Sequence, residues 1–455
     1  MKQRNHLIFI IGFLGILLRF LLWWMVPADV LYDDHFEPAM FLLRDGKLPA
    51  PNLCFECFQP PFFYGISALI AKLVLFFTND EQVVRKGLQG LTWLFGAGTI
   101  PLVWQVLKQF DFQQWVKLLL FAVFCFLPRH IFMSVTHSND STLYFFVTAT
   151  VWATLVWRKQ TQANWWPLLV ATLGGIAILT KSTAVVLFPF FAVFIFTQLS
   201  KESMGWKIRQ LAVVAGIPFI CFAGHLWWKS QYIGDPFQMN MEIFQLDIPQ
   251  RPGERNPASF EVWEYWNVPM VRQENMESLF STLFMQFWFE SEPKISWEWF
   301  QDKTFRHNYQ VYINYRDAAE RPDWSKIPKH YLIYGRTGLV VGLIITAVFV
   351  YGLLRFLYKT IKERAFKALG WSLLTLMLLN IVGIITLTGK FPMYSFMKGA
   401  FLLTSLPALL YFLGNGFKCL LQAKVAKWVL IAPVFVLMIY TSIYCAHLIY
   451  TYMHV

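Results

Sequence analysis

The chain has 455 residues, 56% hydrophobic and 15% charged, with a formal net charge of +12 and a mean hydropathy of +0.45. Soluble domains carry roughly 25% charged residues, so a string of water-soluble domains is excluded and the composition is that of a membrane protein. Positive charge in such a chain ordinarily sets orientation, because Lys and Arg stay on the cytoplasmic side, and this weakens a nucleic-acid-binding reading of the basic balance.

The first apolar run, Leu7 to Val26, follows Lys2 and Arg4 and has the position of a signal peptide. Its length is about twice that of a usual signal-peptide core, and Pro27-Ala28-Asp29 lacks a small-x-small cleavage site, so an uncleaved first span is expected. Further runs able to cross about 30 Å of hydrocarbon at about 1.5 Å per residue lie at 87–107, 116–133, 141–157, 165–181, 183–200, 208–228, 332–356, 368–388, 395–414 and 428–448. The expected fold is therefore an all-α polytopic membrane protein with about eleven transmembrane helices and a cytoplasmic N-terminus. A twelfth run, Phe62 to Phe77, contains Lys72 and opens on Pro60-Pro61, which suits a helix lying on the membrane surface. With eleven spans, segments 1–6, 108–117, 158–164, 201–209, 355–367 and 415–427 are cytoplasmic and hold 17 Lys or Arg against 3 acids. Letting 62–77 cross would turn that excess outside, against the positive-inside bias.

Three regions follow: residues 1–228 with a first outer loop at 27–86, a large extracytoplasmic loop at 229–331 between spans seven and eight, and a C-terminal transmembrane module at 332–455. The first loop has eight acids and five bases and the second fifteen and eleven, so neither is a basic patch. The second is rich in aromatics (Trp263, Tyr265, Trp266, Trp288, Trp297, Trp299, Trp324), which fit a folded cap with sugar-stacking surfaces or an interfacial belt.

Directly after the first span come Tyr32-Asp33-Asp34-His35-Phe36-Glu37-Pro38, an apolar stretch, and Arg44-Asp45-Gly46. Pro38 suits a helix start and Gly46 a helix stop, so 38–45 is expected as a short surface helix. Two adjacent carboxylates at the lipid boundary are either solvated or functional, since burying them unpartnered costs several kcal/mol. Cys54-Phe55-Glu56-Cys57-Phe58-Gln59-Pro60-Pro61-Phe62-Phe63-Tyr64 leads into the second surface helix. Cys54 and Cys57 alone face the oxidising side; a local disulfide, two free thiols and a zinc site stay open, zinc lacking a second ligand pair.

An acidic pair after the first span, a short helix ending at Gly, and Gln-Pro-Pro followed by Tyr resemble the first outer loop of GT-C glycosyltransferases, in the branch of protein O-mannosyltransferases and lipid A aminoarabinose transferases. Pro128-Arg129-His130 through Ser138-Asn139-Asp140-Ser141 is similar to that family's second outer motif. Gly175-Ile176-Ala177-Ile178-Leu179-Thr180-Lys181 is similar to its Gly-x-Ala-x-Leu-x-Lys turn. Ala400-Phe401-Leu402-Leu403 with Leu406-Pro407-Ala408-Leu409 resembles its late span. The chain departs at Gln59, where His is more frequent, at Pro61-Phe62-Phe63-Tyr64 in place of Pro-Leu-Tyr-Tyr, and in lacking the late Arg-Tyr pair, for which Lys398 is the candidate replacement.

The resemblance implies an inverting transfer of a sugar from a polyprenyl-phosphate carrier to a hydroxyl on a glycan, lipid or protein, at the extracytoplasmic face (of the inner membrane, in a bacterium). It places the catalytic acid at Asp34, with Asp33 the alternate. Arg129, Lys181 and Lys398 become the donor-phosphate cations, and His35, Glu37, Gln59, Tyr64 and Asp140 the substrate pocket. A carboxylate to take the acceptor proton and cations beside a departing phosphate are what the chemistry needs. A divalent cation on Asp33, Glu37 and Asp140 stays open, because some enzymes of this kind use one. Arg19 and His225 are expected to be structural. The rival readings are a solute transporter, which would put ionisable groups near the midplane and repeat its two halves, and an O-antigen ligase or polymerase, which would keep its bases in the late loop.

Overall fold

Polar and apolar positions along this chain sort into helices that bury their backbone groups internally, as a bilayer demands. In the computed structural model, residues 2–28, 35–161, 163, 165–198, 202–245, 258–269, 278–289, 329–362, 368–391, 398–422 and 427–453 are described, and among these there are helices and turns but no strand. Asp33, Asp34, Trp297, Trp299 and Trp324 lie outside the described residues.

The chain begins with α1 (Lys2–Met25), followed by α2 (Phe36–Asp45) and α3 (Pro61–Leu75). Helix α2 starts two residues before Pro38 and stops as expected, with Gly46 in the left-handed region at φ 65° and its N–H donating to Leu42 O. Helix α3 has 15 residues, roughly 22 Å of rise and short of a full hydrocarbon thickness. Then come α4 (Glu81–Gln109), α5 (Gln114–Cys125), α6 (Pro128–Met133), α7 (Asn139–Trp157), α8 (Trp165–Thr180), α9 (Leu187–Gln198) and α10 (Met204–Ser230). The large loop contributes α11 (Asn240–Ile243) and α12 (Leu279–Trp288), and the C-terminal module α13 (Lys329–Lys362), α14 (Ala368–Lys390), α15 (Leu406–Gln422) and α16 (Lys427–Met453).

Among the described residues, seven helical segments are long and apolar enough on their own to cross a membrane: His6–Met25, Glu81–Gln109, Met204–Ser230, Lys329–Lys362, Ala368–Lys390, Gly399–Gln422 and Lys427–Tyr450. The other four expected runs are helical but differ in kind. Run 116–133 is broken into α5 and α6 at Leu127, extended as residues before a proline tend to be. Helix α7 carries a polar start and lies buried between α4 and α8. Two of its threonines are satisfied locally, Thr150 donating to Phe146 O at 2.7 Å and Thr154 to Thr150 O at 2.7 Å. Helix α8 is short, and run 183–200 opens with a 3-10 turn, Ser182–Val186, before α9. Run 395–414 likewise opens as a 3-10 turn, Gly399–Ser405, before α15.

One continuous apolar core joins the two ends of the chain. Helix α1 packs against α16, α5 against α15 and α16, and α9 against α14. Helix α12 also enters this core, between α13, α6 and the Gly399–Ser405 turn. Of the large-loop aromatics, Tyr265 and Trp288 are buried, whereas Trp263 and Trp266 are exposed.

Arg19, fully buried on α1, is a helix-packing residue. It donates to Gly15 O at 2.7 Å, Cys125 O at 2.9 Å, His130 Nδ1 at 2.9 Å and Ser134 Oγ at 3.3 Å. The Cys125 carbonyl belongs to the last turn of α5, so the guanidinium satisfies an acceptor beside the break before Pro128.

Candidate functional site

Helices α2 and α3 are fastened to each other and to the turn before α7 by an aromatic and histidine chain. His35 Nδ1 and Tyr64 Oη share a hydrogen bond of 2.7 Å. The fully buried Phe63 stands between the rings of His35, at 6.1 Å, and His137, at 5.1 Å, and His137 Nε2 lies 3.3 Å from Ser67 Oγ. His35, the residue that follows the twin acids in sequence, is thereby held in a buried position. Cys54 and Cys57 form a disulfide with Cα atoms 5.0 Å apart. Gln59 bonds within this same loop, its Nε2 donating to Glu56 Oε2 at 3.1 Å, and Glu37 is exposed on the first turn of α2. The structure thus brings His35 and Tyr64 together and leaves Gln59 and Glu37 outside that chain.

Three residues beyond His137, the start of α7 carries Asp140. Ser138 caps the helix, its Oγ accepting from Asp140 N at 3.3 Å, and Asn139 Nδ2 donates to Thr180 O at 3.3 Å. That second bond satisfies the last carbonyl of α8, where the helix gives way to Lys181 in extended conformation. Lys181 Nζ then reaches Asp140 Oδ1 at 2.6 Å, and both side chains are buried. The same ammonium lies 5.2 Å from the centre of the Phe401 ring, a cation–π distance. Phe401 belongs to the turn that Lys398 leads, and its N–H donates to Lys398 O at 3.1 Å. Arg129 is buried on α6, which packs against both α12 and that turn. Asp140, Lys181 and the segment led by Lys398 are therefore joined by direct contacts.

An apolar groove of about 660 Å³ runs along α2 and α3, lined by Leu42, Leu43, Phe62, Gly65, Leu69 and Leu179 among others. Leu179 lies two residues before Lys181, so the groove reaches the neighbourhood of the buried ion pair. Among the described residues there is no cluster of three or more His, Cys, Asp or Glu that could hold a metal ion, and the Asp140 carboxylate bonds the Lys181 ammonium; Asp33, the third residue considered with Glu37 and Asp140, lies outside them.

Sequence reasoning passed over the side chains that hold the turn after Lys398. Gln286 Oε1 accepts from Gly399 N at 2.8 Å, Tyr144 Oη donates to Ala400 O at 2.8 Å, and Asn380 Nδ2 donates to Phe401 O at 2.9 Å. Their signal was a polar side chain in an apolar run, as in Leu283-Phe284-Met285-Gln286-Phe287 and Leu378-Leu379-Asn380-Ile381.

Residues 75–230 match the model of the dolichyl-phosphate-mannose-protein mannosyltransferase family, and Arg129, Asp140 and Lys181 fall within that stretch. No curated protein matches the sequence significantly. Among solved structures, an oligosaccharyltransferase of Archaeoglobus fulgidus, tethered to an acceptor peptide, is similar over 98% of this chain and 56% of its own at 12% identity, with a TM-score of 0.53. The same enzyme is also known in complex with Zn and sulfate. The S. cerevisiae protein O-mannosyltransferase complex bound to its sugar donor covers 50% of this chain and 34% of its own at 18% identity, TM-score 0.40. ArnT of Cupriavidus metallidurans bound to undecaprenyl phosphate covers 89% and 77% at 14% identity, TM-score 0.38. The chain thus spans just over half the length of the archaeal enzyme and about a third of the yeast one. Its fold is similar to that of the archaeal enzyme, and the matching family is in the branch that the sequence motifs resemble.

Proposed function

We propose that this protein is an integral-membrane glycosyltransferase that moves a sugar from a polyprenyl-phosphate carrier to a hydroxyl acceptor at the extracytoplasmic face. The observation that carries the reading is the meeting of Asp140, Lys181 and the Lys398-led turn at two interrupted spans, beside a groove open to apolar chains. A lipid-linked donor has an isoprenoid tail, which suits that groove, and a phosphate, which suits cations at its end. An ammonium carries three donors, so its bond to Asp140 leaves Lys181 donors for a phosphate oxygen.

In this reading Asp34, or Asp33 beside it, takes the proton of the acceptor hydroxyl as its oxygen bonds to the anomeric carbon. The bond from that carbon to the phosphate oxygen breaks, and its electron pair leaves with the polyprenyl phosphate. Arg129, Lys181 and Lys398 offset the growing negative charge. Attack and departure on opposite faces invert the anomeric centre. His35, which follows the acids in sequence, and Tyr64, which bonds it, act as positioning residues.

The test is Asp34→Asn in proteoliposomes supplied with a polyprenyl-phosphate sugar and a hydroxyl acceptor. A loss of transfer of about 10²- to 10⁴-fold is expected, with donor binding retained; turnover equal to that of the native chain removes Asp34 from the role. No transfer by the native chain from any polyprenyl-phosphate sugar would overturn the donor class.

A further inference from the structure

The turn Gly399–Ser405 begins in the interior, where its first N–H groups have no partner within the turn itself. One of these, Gly399 N–H, is taken by Gln286 Oε1 at 2.8 Å, and Gln286 is fully buried. Backbone contact at that point is close: a Cβ on Gly399 would come within 2.9 Å of both Leu283 O and Phe287 N of α12. The next two carbonyls are gripped from other helices, Ala400 O by Tyr144 and Phe401 O by Asn380, whose Nδ2 also lies 3.2 Å from Ser405 Oγ. Helix α12 belongs to the loop between spans seven and eight, far outside residues 75–230.

From this geometry, and resting on the donor reading above, we infer that Gln286 is a positioning residue for Lys398: through Gly399, α12 of the large loop sets where that lysine meets the donor phosphate. The bond is made to the main chain one residue after Lys398, so it orients the lysine without engaging its ammonium. Losing a buried acceptor for Gly399 N–H lets the start of the turn shift, and a displaced lysine binds phosphate less well.

The experiment uses the full chain in lipid nanodiscs and undecaprenyl phosphate as the probe, with affinity read by titration and folding by thermal unfolding. Gln286→Leu removes the acceptor, and an affinity loss of about tenfold is expected. Gln286→Glu keeps an oxygen for Gly399 N–H and returns affinity to within about threefold of native. Gly399→Ala, which pushes the turn off α12, reproduces the loss should Gln286→Leu fold poorly. In the double variant Gln286→Leu with Lys398→Ala, affinity equals that of Lys398→Ala alone, because Gln286 acts through the lysine. If Lys398→Ala weakens binding while Gln286→Leu and Gly399→Ala lower only the melting temperature, this inference falls and the donor reading stands. If Lys398→Ala leaves binding unchanged, Lys398 loses its donor role and Gln286 its positioning role together.

Discussion

Two lysine-led turns face each other inside this bundle, alike in construction and unlike in how they are held. Lys181 precedes the 3-10 turn Ser182–Val186 and then α9, with Pro189 in its first turn; Lys398 precedes Gly399–Ser405 and then α15, with Pro407 likewise. The first is held through charge, by the Lys181–Asp140 pair, with Asn139 on the neighbouring carbonyl. The second is held through neutral hydrogen bonds to the main chain, from Gln286, Tyr144 and Asn380. A turn fastened by its lysine's charge fails with that charge. A turn fastened by its backbone keeps its shape whatever the lysine does.

The largest expected effect is therefore at the charged turn. Asp140→Asn leaves a buried ammonium without its carboxylate and should lower stability by about 3–5 kcal/mol, read as unfolding in one detergent, whereas Asp140→Leu with Lys181→Met should recover most of it. A loss below about 1 kcal/mol for Asp140→Asn would mark the pair as solvated, as surface pairs are, and erase the contrast. Asn380→Leu, which frees the Phe401 carbonyl and abandons Ser405 Oγ, should cost about 2 kcal/mol. Tyr144→Phe, removing one bond to Ala400 O, should cost about 1 kcal/mol. Lys398→Met should be the mildest in stability, and a loss as large as that of Asp140→Asn would mean that both turns depend on charge.

Much of this was legible in the chain. The helix stop at Gly46 and the helical character of the apolar runs follow from periodicity, chain length and the special backbone chemistry of Pro and Gly. The grouping of Lys181 with Lys398 followed from counting Lys and Arg along the loops. What was not legible is how two of those runs begin. Thr183-Ala184-Val185-Val186 reads as the start of a helical run by hydropathy, and the groups that hold the preceding turn, Asn139 and Asp140, lie some forty residues away. Gln286 is further still from Gly399, at a separation of 113 residues, and a lone amide in an apolar stretch does not disclose its partner. The zinc alternative turned on what the paired cysteines bond, and only coordinates reveal that the thiols take each other.

Arg19 bears on biogenesis. A guanidinium midway along a membrane segment costs about 2.5–3.5 kcal/mol on translocon insertion scales, and three of its four acceptors, on Cys125, His130 and Ser134, are synthesised more than a hundred residues later. The first segment should therefore reach its final seating only once α5 and α6 have emerged to supply those acceptors.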